Sequence, residues 1–287
     1  MGKLKSILVL LLFICVILWI IVFDLSLDNG FQVNFFDVGQ GDSIFIETIE
    51  GRQILIDGGP DITILEKLGE EMPFWDRTID LVILTHPEHD HMLGLLEVLE
   101  NYQIENILWT GVFKDTAEYT EWKKLIGEEG SQITIAKAGE KIVLGDPEKE
   151  YLEILFPFES LEGKEVFDAN NSSVVSKLVF DDISFLFLGD VYKSTEKELI
   201  EKGIDIDAGV LKIAHHGSKT SSSSEFIEKV SPEFAVILCG KDNSYGHPSP
   251  ETLEVLKNYG INIFRTDLQG DIKLTVKNNK LYGVPDF

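Results

Sequence analysis

Hydrophobic and polar positions divide this chain into a leading apolar stretch and a long body of short, punctuated segments. From Ile7 to Phe23 the residues are uncharged and almost wholly apolar, after Lys3 and Lys5 and before Asp24. Such a run, as a helix, extends about 26 Å, near the lower limit for a hydrocarbon core of about 30 Å. It reads as a signal anchor over residues 1–24, followed by a linker at 25–30. The two lysines favour the cytoplasmic side, which puts the body outside the cell membrane as a single-pass protein. No small-x-small site follows the apolar run, so the anchor is expected to stay uncleaved.

The body, residues 31–287, alternates between two periods. Short β-branched or aromatic runs bounded by Gly, Asp, Asn or Pro predict strands at Phe31–Phe36, Ser43–Thr48, Gln53–Ile56, Leu81–Leu84, Ile104–Trp109 and Leu152–Phe156. Further strands are predicted at Val174–Phe180, Ser184–Leu188, Gly209–Ala214, Phe234–Leu238 and Ile272–Val276. Helical spacing appears at Met92–Asn101, Tyr119–Ile126, Thr195–Glu201, Ser224–Val230 and Pro250–Tyr259. Grouped strands with interspersed helices predict an α+β fold: a four-layer αββα sandwich of two facing sheets with helices outside.

Charge narrows the function classes. The formal net charge of −24 repels nucleic acid at long range and counts against a simple nucleic-acid-binding module. Cys15 lies in the apolar stretch and Cys239 ends the run A235-V-I-L-C239, so neither an internal disulfide nor a thiolate zinc site is expected.

The chemistry sits where apolar runs stop. All six histidines fall in three clusters: His86, His89 and His91 in T-H-P-E-H-D-H; His215 and His216 in A-H-H-G-S; and His247 in Y-G-H-P. Imidazole is the commonest side-chain metal ligand and carries protons near neutral pH. His86 and Glu88 lie two apart and point the same way if extended. Asp90 and His91 continue towards the next helix, and Asp190 ends an apolar strand. One metal is then expected on His86 with Glu88 and another on Asp90 with His91, bridged by Asp190. His89 is the alternative to Glu88. Asp57 is expected behind a ligand imidazole, fixing its tautomer. His215 and His216, as neighbours at a strand end, are expected to point apart, with one entering the site to complete a metal's shell or to protonate a leaving group.

The order D57-G-G59, H86-P-E-H-D-H91, F187-L-G-D190 and a later histidine resembles the metallo-β-lactamase fold of hydrolases. The motifs F36-D-V-G-Q-G-D-S43, L211-K-I-A-H-H-G-S218 and N243-S-Y-G-H-P-S-P250 resemble the extracellular metallo-β-lactamase-like domain of the ComEC family of DNA-uptake proteins. The resemblance covers about residues 31–260. It implies two divalent ions, zinc or manganese, held by His86, Glu88, Asp90, His91, Asp190 and His247. It implies catalytic roles for Asp90, His215 and His216, and substrate contacts at Gln40, Asp42, Asn171 and Ser218. Where the fold has a middle histidine, this chain has N170-N-S-S173. The implied activity is that of a membrane-anchored phosphodiesterase or nuclease acting on DNA or a small phosphodiester. Hydrolysis of a lactone, thioester or β-lactam is the second reading, and a non-catalytic metal-binding module the third. A deep apolar-walled pocket would favour the carbonyl substrates; a groove with lysines, of which Lys212, Lys219 and Lys241 lie near the late motifs, would favour the nuclease.

Overall fold

The computed structural model describes residues 2–26 and 30–283. Residues 27–29 of the expected linker lie outside the described residues. The chain divides into two compact units, Met1–Gly30 and Phe31–Phe287.

The first unit is a helix, α1 (Gly2–Ser26). Among the described residues, no helix is long and apolar enough to cross a membrane. The expected single-pass anchor, and with it the placement of the body outside a cell membrane, is therefore corrected.

The second unit is built from two sheets. Its first half runs β1 (Phe31–Phe35), β2 (Ile44–Glu47), β3 (Gln53–Ile56), α2 (Thr63–Glu71), β4 (Thr78–Leu84), α3 (His89–Asn101), β5 (Gln103–Trp109), α4 (Ala117–Glu129) and β6 (Gln132–Ile135). The second half runs β7 (Lys141–Val143), β8 (Glu150–Phe156), β9 (Val175–Phe180), β10 (Ile183–Phe187), α5 (Lys193–Glu201), β11 (Val210–Lys212), α6 (Ser224–Val230), β12 (Phe234–Ile237), α7 (Pro250–Asn258), β13 (Asn262–Arg265), α8 (Thr266–Gln269), β14 (Ile272–Lys277) and β15 (Lys280–Tyr282). One sheet has the order β15-β14-β1-β2-β3-β4-β5-β6 and the other β13-β12-β11-β10-β9-β8-β7.

One apolar cluster lies between the sheets and includes Phe31, Phe35, Ile56 and Ile83 from one and Leu178, Phe185, Phe187 and Val236 from the other. A second joins the outer face of the first sheet to α2, α3 and α4 through Ile64, Leu68, Leu95, Val98 and Trp122. A third joins the second sheet to α5, α6 and α7 through Leu199, Phe226, Ile227 and Leu256. The strands are mixed: β3 to β6 are parallel, as are β10 to β13, while the remainder pair antiparallel. Helices that cross over between parallel strands make this a mixed α/β fold, which corrects the α+β expectation.

Parallel register delivers the functional loops to one place. Ile56 is opposite Ile83, so Asp57 and His86 leave adjacent strands side by side. Phe187 is opposite Lys212, so the turn carrying Asp190 adjoins the one carrying His215 and His216. Loops at the carboxyl ends of parallel strands are the usual place for a ligand site in such sheets.

Helix α3 starts earlier than its apolar spacing predicts. His89, Asp90 and His91 form a polar first turn, which apolar periodicity does not register. The start is seated on the D57-G-G59 loop: the Gly58 N–H donates to the His91 carbonyl at 2.8 Å, and the Gly94 N–H to the Gly59 carbonyl at 3.0 Å. Backbones meet so closely that a Cβ at Gly94 would overlap the Gly58 carbonyl. Gly94→Ala is therefore expected to lower stability by about 1–3 kcal/mol, the usual cost of overpacking, read as a lower urea midpoint. An unchanged midpoint would show that α3 can shift without cost.

Candidate metal centre

The residues of the centre come from the ends of several strands. Asp57 follows β3 at φ +57°, and its buried carboxylate accepts the Thr85 N–H at 2.8 Å, the Thr85 hydroxyl at 2.7 Å and His91 Nδ1 at 2.8 Å. His86 follows β4, with Nδ1 at 3.0 Å from Thr85 Oγ1 and 3.1 Å from Ser173 Oγ. Both hydroxyl protons are committed elsewhere, Thr85 to Asp57 and Ser173 to the Asn170 carbonyl at 2.6 Å. The two hydroxyls must accept, so His86 carries its proton on Nδ1 and presents the Nε2 lone pair inward. His91 donates Nδ1–H to Asp57, and His216 donates Nδ1–H to the Leu238 carbonyl at 2.9 Å. Three imidazoles are thus oriented alike, each by a partner behind it.

The Nε2 atoms of His91 and His216 converge on acids. His91 Nε2 is 3.4 Å and His216 Nε2 3.5 Å from Asp190 Oδ2, and His216 Nε2 is 3.1 Å from Asp90 Oδ2. One ligand atom from each of Asp90, His91, Asp190 and His216 falls within 4.8 Å of the others; Asp42, Asp57 and His91 form a second such group. His86 Nε2, His91 Nε2 and Asp190 Oδ1 are buried without a hydrogen-bond partner. Unpartnered buried polar atoms are rare and costly. A nitrogen and carboxylate donor set with free lone pairs aimed together fits a divalent ion, and it suits zinc and manganese alike.

The electrostatics point the same way. Burial opposes charge on His216, yet Asp190 and Asp42 outweigh it and push its pKa up to about 10. His91 is raised for the same reason by Asp190, Asp57 and Asp90 against its burial. Asp190 is held well below the usual carboxylate range, because His216, His91 and Lys212 outweigh its burial. The acids therefore recruit positive charge, as protons when no other cation is available. His86 differs: burial, with His91 beside it, lowers it to about 3, so it stays neutral.

One of those positive charges is permanent. Lys212, on β11, is 1% exposed. Its ammonium pairs with Asp42, donates to the Gly189 carbonyl at 3.1 Å and lies 3.9 Å from Asp190 Oδ1. It ties the loop after β1 to the turn after β10 and is withdrawn from any open groove.

Other expected residues lie elsewhere. Glu88 caps α3 in an extended conformation and pairs with Lys114, away from the imidazole group. His89 is 60% exposed and faces Glu118 at 3.7 Å. His215 and His216 both have left-handed backbone, φ +51° and +52°, so they do not alternate as strand neighbours would. His216 is buried in the group; His215 stands at its edge, with Nε2 4.0 Å from Asp190 Oδ2 and 3.3 Å from the Asn170 amide nitrogen, and Nδ1 3.1 Å from Thr220 Oγ1. The His247 ring lies 5.5 Å from that of His215 and 6.2 Å from that of His216, and burial with both neighbours lowers its pKa to about 4.

The four expected substrate contacts have internal partners. Gln40 accepts the Gly240 N–H, Asp42 pairs with Lys212, Asn171 accepts the Tyr192 N–H and the Thr195 hydroxyl at the start of α5, and Ser218 accepts the Thr220 hydroxyl. Thr85, Ser173 and Lys212 were not foreseen as site residues. A serine or threonine beside a histidine carries no distinctive signal, and a lysine within V210-L-K-I-A214 reads as a groove cation.

A cavity of about 600 Å³ opens between the sheets, lined by Ile54, Leu81, Leu108, Leu144, Arg52 and Lys141 among others. No residue of the centre lines it, so its apolar walls say nothing about the substrate handled at the centre.

A family model described as the metallo-beta-lactamase superfamily matches residues 36–241. The chain is 30% identical over 281 residues to ComE operon protein 3 of Bacillus subtilis (strain 168), covering 92% of this chain and 35% of that protein. It is 30% identical over 251 residues to competence protein ComA of Neisseria gonorrhoeae, covering 86% and 32%. The chain thus spans about a third of the length of the curated relatives it matches. Among solved structures, Igni18, a metallo hydrolase from the archaeon Ignicoccus hospitalis KIN4/I, is similar at a TM-score of 0.56 and 16% identity, covering 86% of this chain and 100% of that one, a likeness of fold.

Two measurements test the centre. Lys212→Met leaves the Asp42 carboxylate buried without its partner, and a loss of about 3–5 kcal/mol is expected in urea denaturation; adding Asp42→Asn should restore part of it. No recovery in the double variant would show that packing of the lysine stem, not its charge, matters. The second concerns pH. The raised His216 gives stability that is present below its ordinary 6.5 and is lost as pH rises through about 10. Metal-free protein should lose thermal stability across that window. A bound divalent ion displaces the same protons, so its stabilising shift should grow with pH. A metal-induced shift that shrinks as pH rises would contradict this centre.

Proposed function

We infer that this chain, which belongs to the metallo-beta-lactamase superfamily, is a metal-dependent phosphodiesterase that cleaves nucleic acid. Members of that superfamily are usually metal-dependent hydrolases, and the Asp/His cluster supports divalent metal binding. The observation that carries the reading is the pair of imidazoles, His91 and His216, whose Nε2 atoms converge on Asp190 and Asp90 while their Nδ1 protons are held from behind, with the unpartnered Nε2 of His86 buried close by. Similarity to two competence proteins supports nucleic acid over other phosphodiesters.

In this reading His86, His91, His216, Asp90, Asp190 and the half-buried His247 would hold two divalent ions, manganese or zinc, the Asp190 carboxylate being shared by His91 and His216. Bound there, the ions supply activation of water and neutralisation of charge developing on the phosphate. The protein supplies the rest. Asp57 keeps the His91 proton on Nδ1, Thr85 and Ser173 do so for His86, and the Leu238 carbonyl for His216. Lys212 anchors the Asp190 turn through the Gly189 carbonyl, so the shared carboxylate is fixed before substrate arrives. His215, at the edge of the group and held between Asn170 and Thr220, moves a proton at the leaving oxygen. Ser218 donates its N–H to the His215 carbonyl at 2.8 Å and supports that residue's turn.

The test is cleavage of single- and double-stranded DNA and of a generic phosphodiester by the full chain, loaded separately with manganese and zinc. Cleavage is expected with metal, at background with chelator and in Asp190→Ala. Asp57→Asn keeps the shape but weakens control of the His91 tautomer, and it should lower metal affinity or activity about 10- to 100-fold. Cleavage that survives chelation would sink the reading. Two bound metals without phosphodiester cleavage would move the substrate to a lactone, thioester or β-lactam.

A further inference from the structure

Two aromatic side chains stand in solvent near the edge of the centre. Tyr245 is 72% exposed and stacks its ring on His247 at 5.7 Å and 21°. Phe167 is fully exposed at 108%. It precedes Asp168, which accepts the Tyr192 hydroxyl at 2.7 Å, and the Tyr192 ring lies 5.4 Å from that of His215. Asn170, three residues on, touches His215 Nε2. Phe167 and Tyr192 line a cleft of about 500 Å³ whose other walls include Phe156, Leu161 and Val166. Rings exposed to this degree cost free energy in water unless something covers them, and here they border His215 and His247 rather than a remote face.

Charge says what the rings can do. Lys212 is buried on Asp42 and Lys114 is tied to Glu88, so neither offers its charge to a phosphate backbone, and the exposed Lys219 and Lys241 make a thin basic edge. At a net charge of −24 the chain gains little from counterion release. A nucleic acid held here needs another source of affinity, and exposed aromatic faces supply one by stacking on unpaired bases. A duplex buries its base faces against each other and cannot use them.

We propose that Phe167 and Tyr245 are base-stacking residues that flank the metal centre and select nucleic acid with unpaired bases. The proposal rests on the phosphodiesterase reading above. Phe167, with its cleft beside Tyr192, takes a base on the His215 side, and Tyr245 takes one on the His247 side.

The experiment measures binding separately from cleavage. A fluorescein-labelled thymidine strand of about 12 nucleotides is titrated with the full chain, beside a strand of the same length and charge with abasic linkages throughout. The expected result is tighter binding of the base-bearing strand by about tenfold or more. Phe167→Ala with Tyr245→Ala should abolish that preference, and Phe167→Trp with Tyr245→Phe should keep it. Both positions are exposed, and an unchanged melting temperature would show that the fold is intact. Equal affinity for the two strands, or a preference that survives the double alanine variant, would overturn the proposal. Cleavage of both strands is followed in parallel. Cleavage without base preference removes the stacking role and leaves the phosphodiesterase; base-dependent binding without cleavage does the reverse.

Discussion

The structure depends on keeping four buried or half-buried carboxylates, Asp42, Asp57, Asp90 and Asp190, within reach of one another where the two sheets' loops meet. Isolated carboxylates cannot be buried this way without compensating charge. The protein supplies one fixed cation, Lys212, and donors to Asp57 from Thr85 and His91. The remaining negative charge falls on Asp90 and Asp190, which raise the pKa of His91 and His216. A proton on each imidazole is the response available to the metal-free chain. A divalent ion answers the same imbalance without occupying Nδ1, which fits the partners that the Nδ1 atoms of His86, His91 and His216 already have.

That constraint also orders the fold. The centre needs contributions from both sheets: Asp57, His86, Asp190 and His216 follow the carboxyl ends of parallel strands, and Asp42 comes from the loop joining antiparallel β1 and β2. The turns are fixed to one another by backbone contacts, as between the D57-G-G59 loop and α3, and by the Lys212 clamp across the sheets. Left-handed residues at Asp57, His215 and His216 aim side chains that an extended strand end would turn away. Such geometry is uncommon for residues with a Cβ, and these three instances of it lie at the site.

Much of this was legible in the sequence, for reasons that differ by element. Runs such as Phe31–Phe35 and Phe234–Ile237 announce themselves, the first by alternating apolar and polar residues and the second by being apolar throughout. Edge strands β6 and β7 escaped because their residues are largely exposed and lack alternation. Helix α2 escaped because only Ile64 and Leu68 carry its buried stripe. At the centre, His86, His91, Asp90, Asp190 and Asp57 were read from the positions where apolar runs stop. Spacing in an extended segment does not show that Glu88 pairs with Lys114, which follows β5 in sequence. Lys212 read as a groove cation because sequence does not show that a lysine on a three-residue strand points inward onto an acid.

The most direct test of the centre is a crystal structure of the full chain grown with manganese, with anomalous scattering used to place the ion. The account predicts density bonded to Nε2, not Nδ1, of His86, His91 or His216 and to the Asp190 carboxylate, with Asp57 and Lys212 remaining behind the ligands. Manganese coordinated by Glu88 or His89, or absent from the Asp190 cluster at saturating concentration, would contradict it.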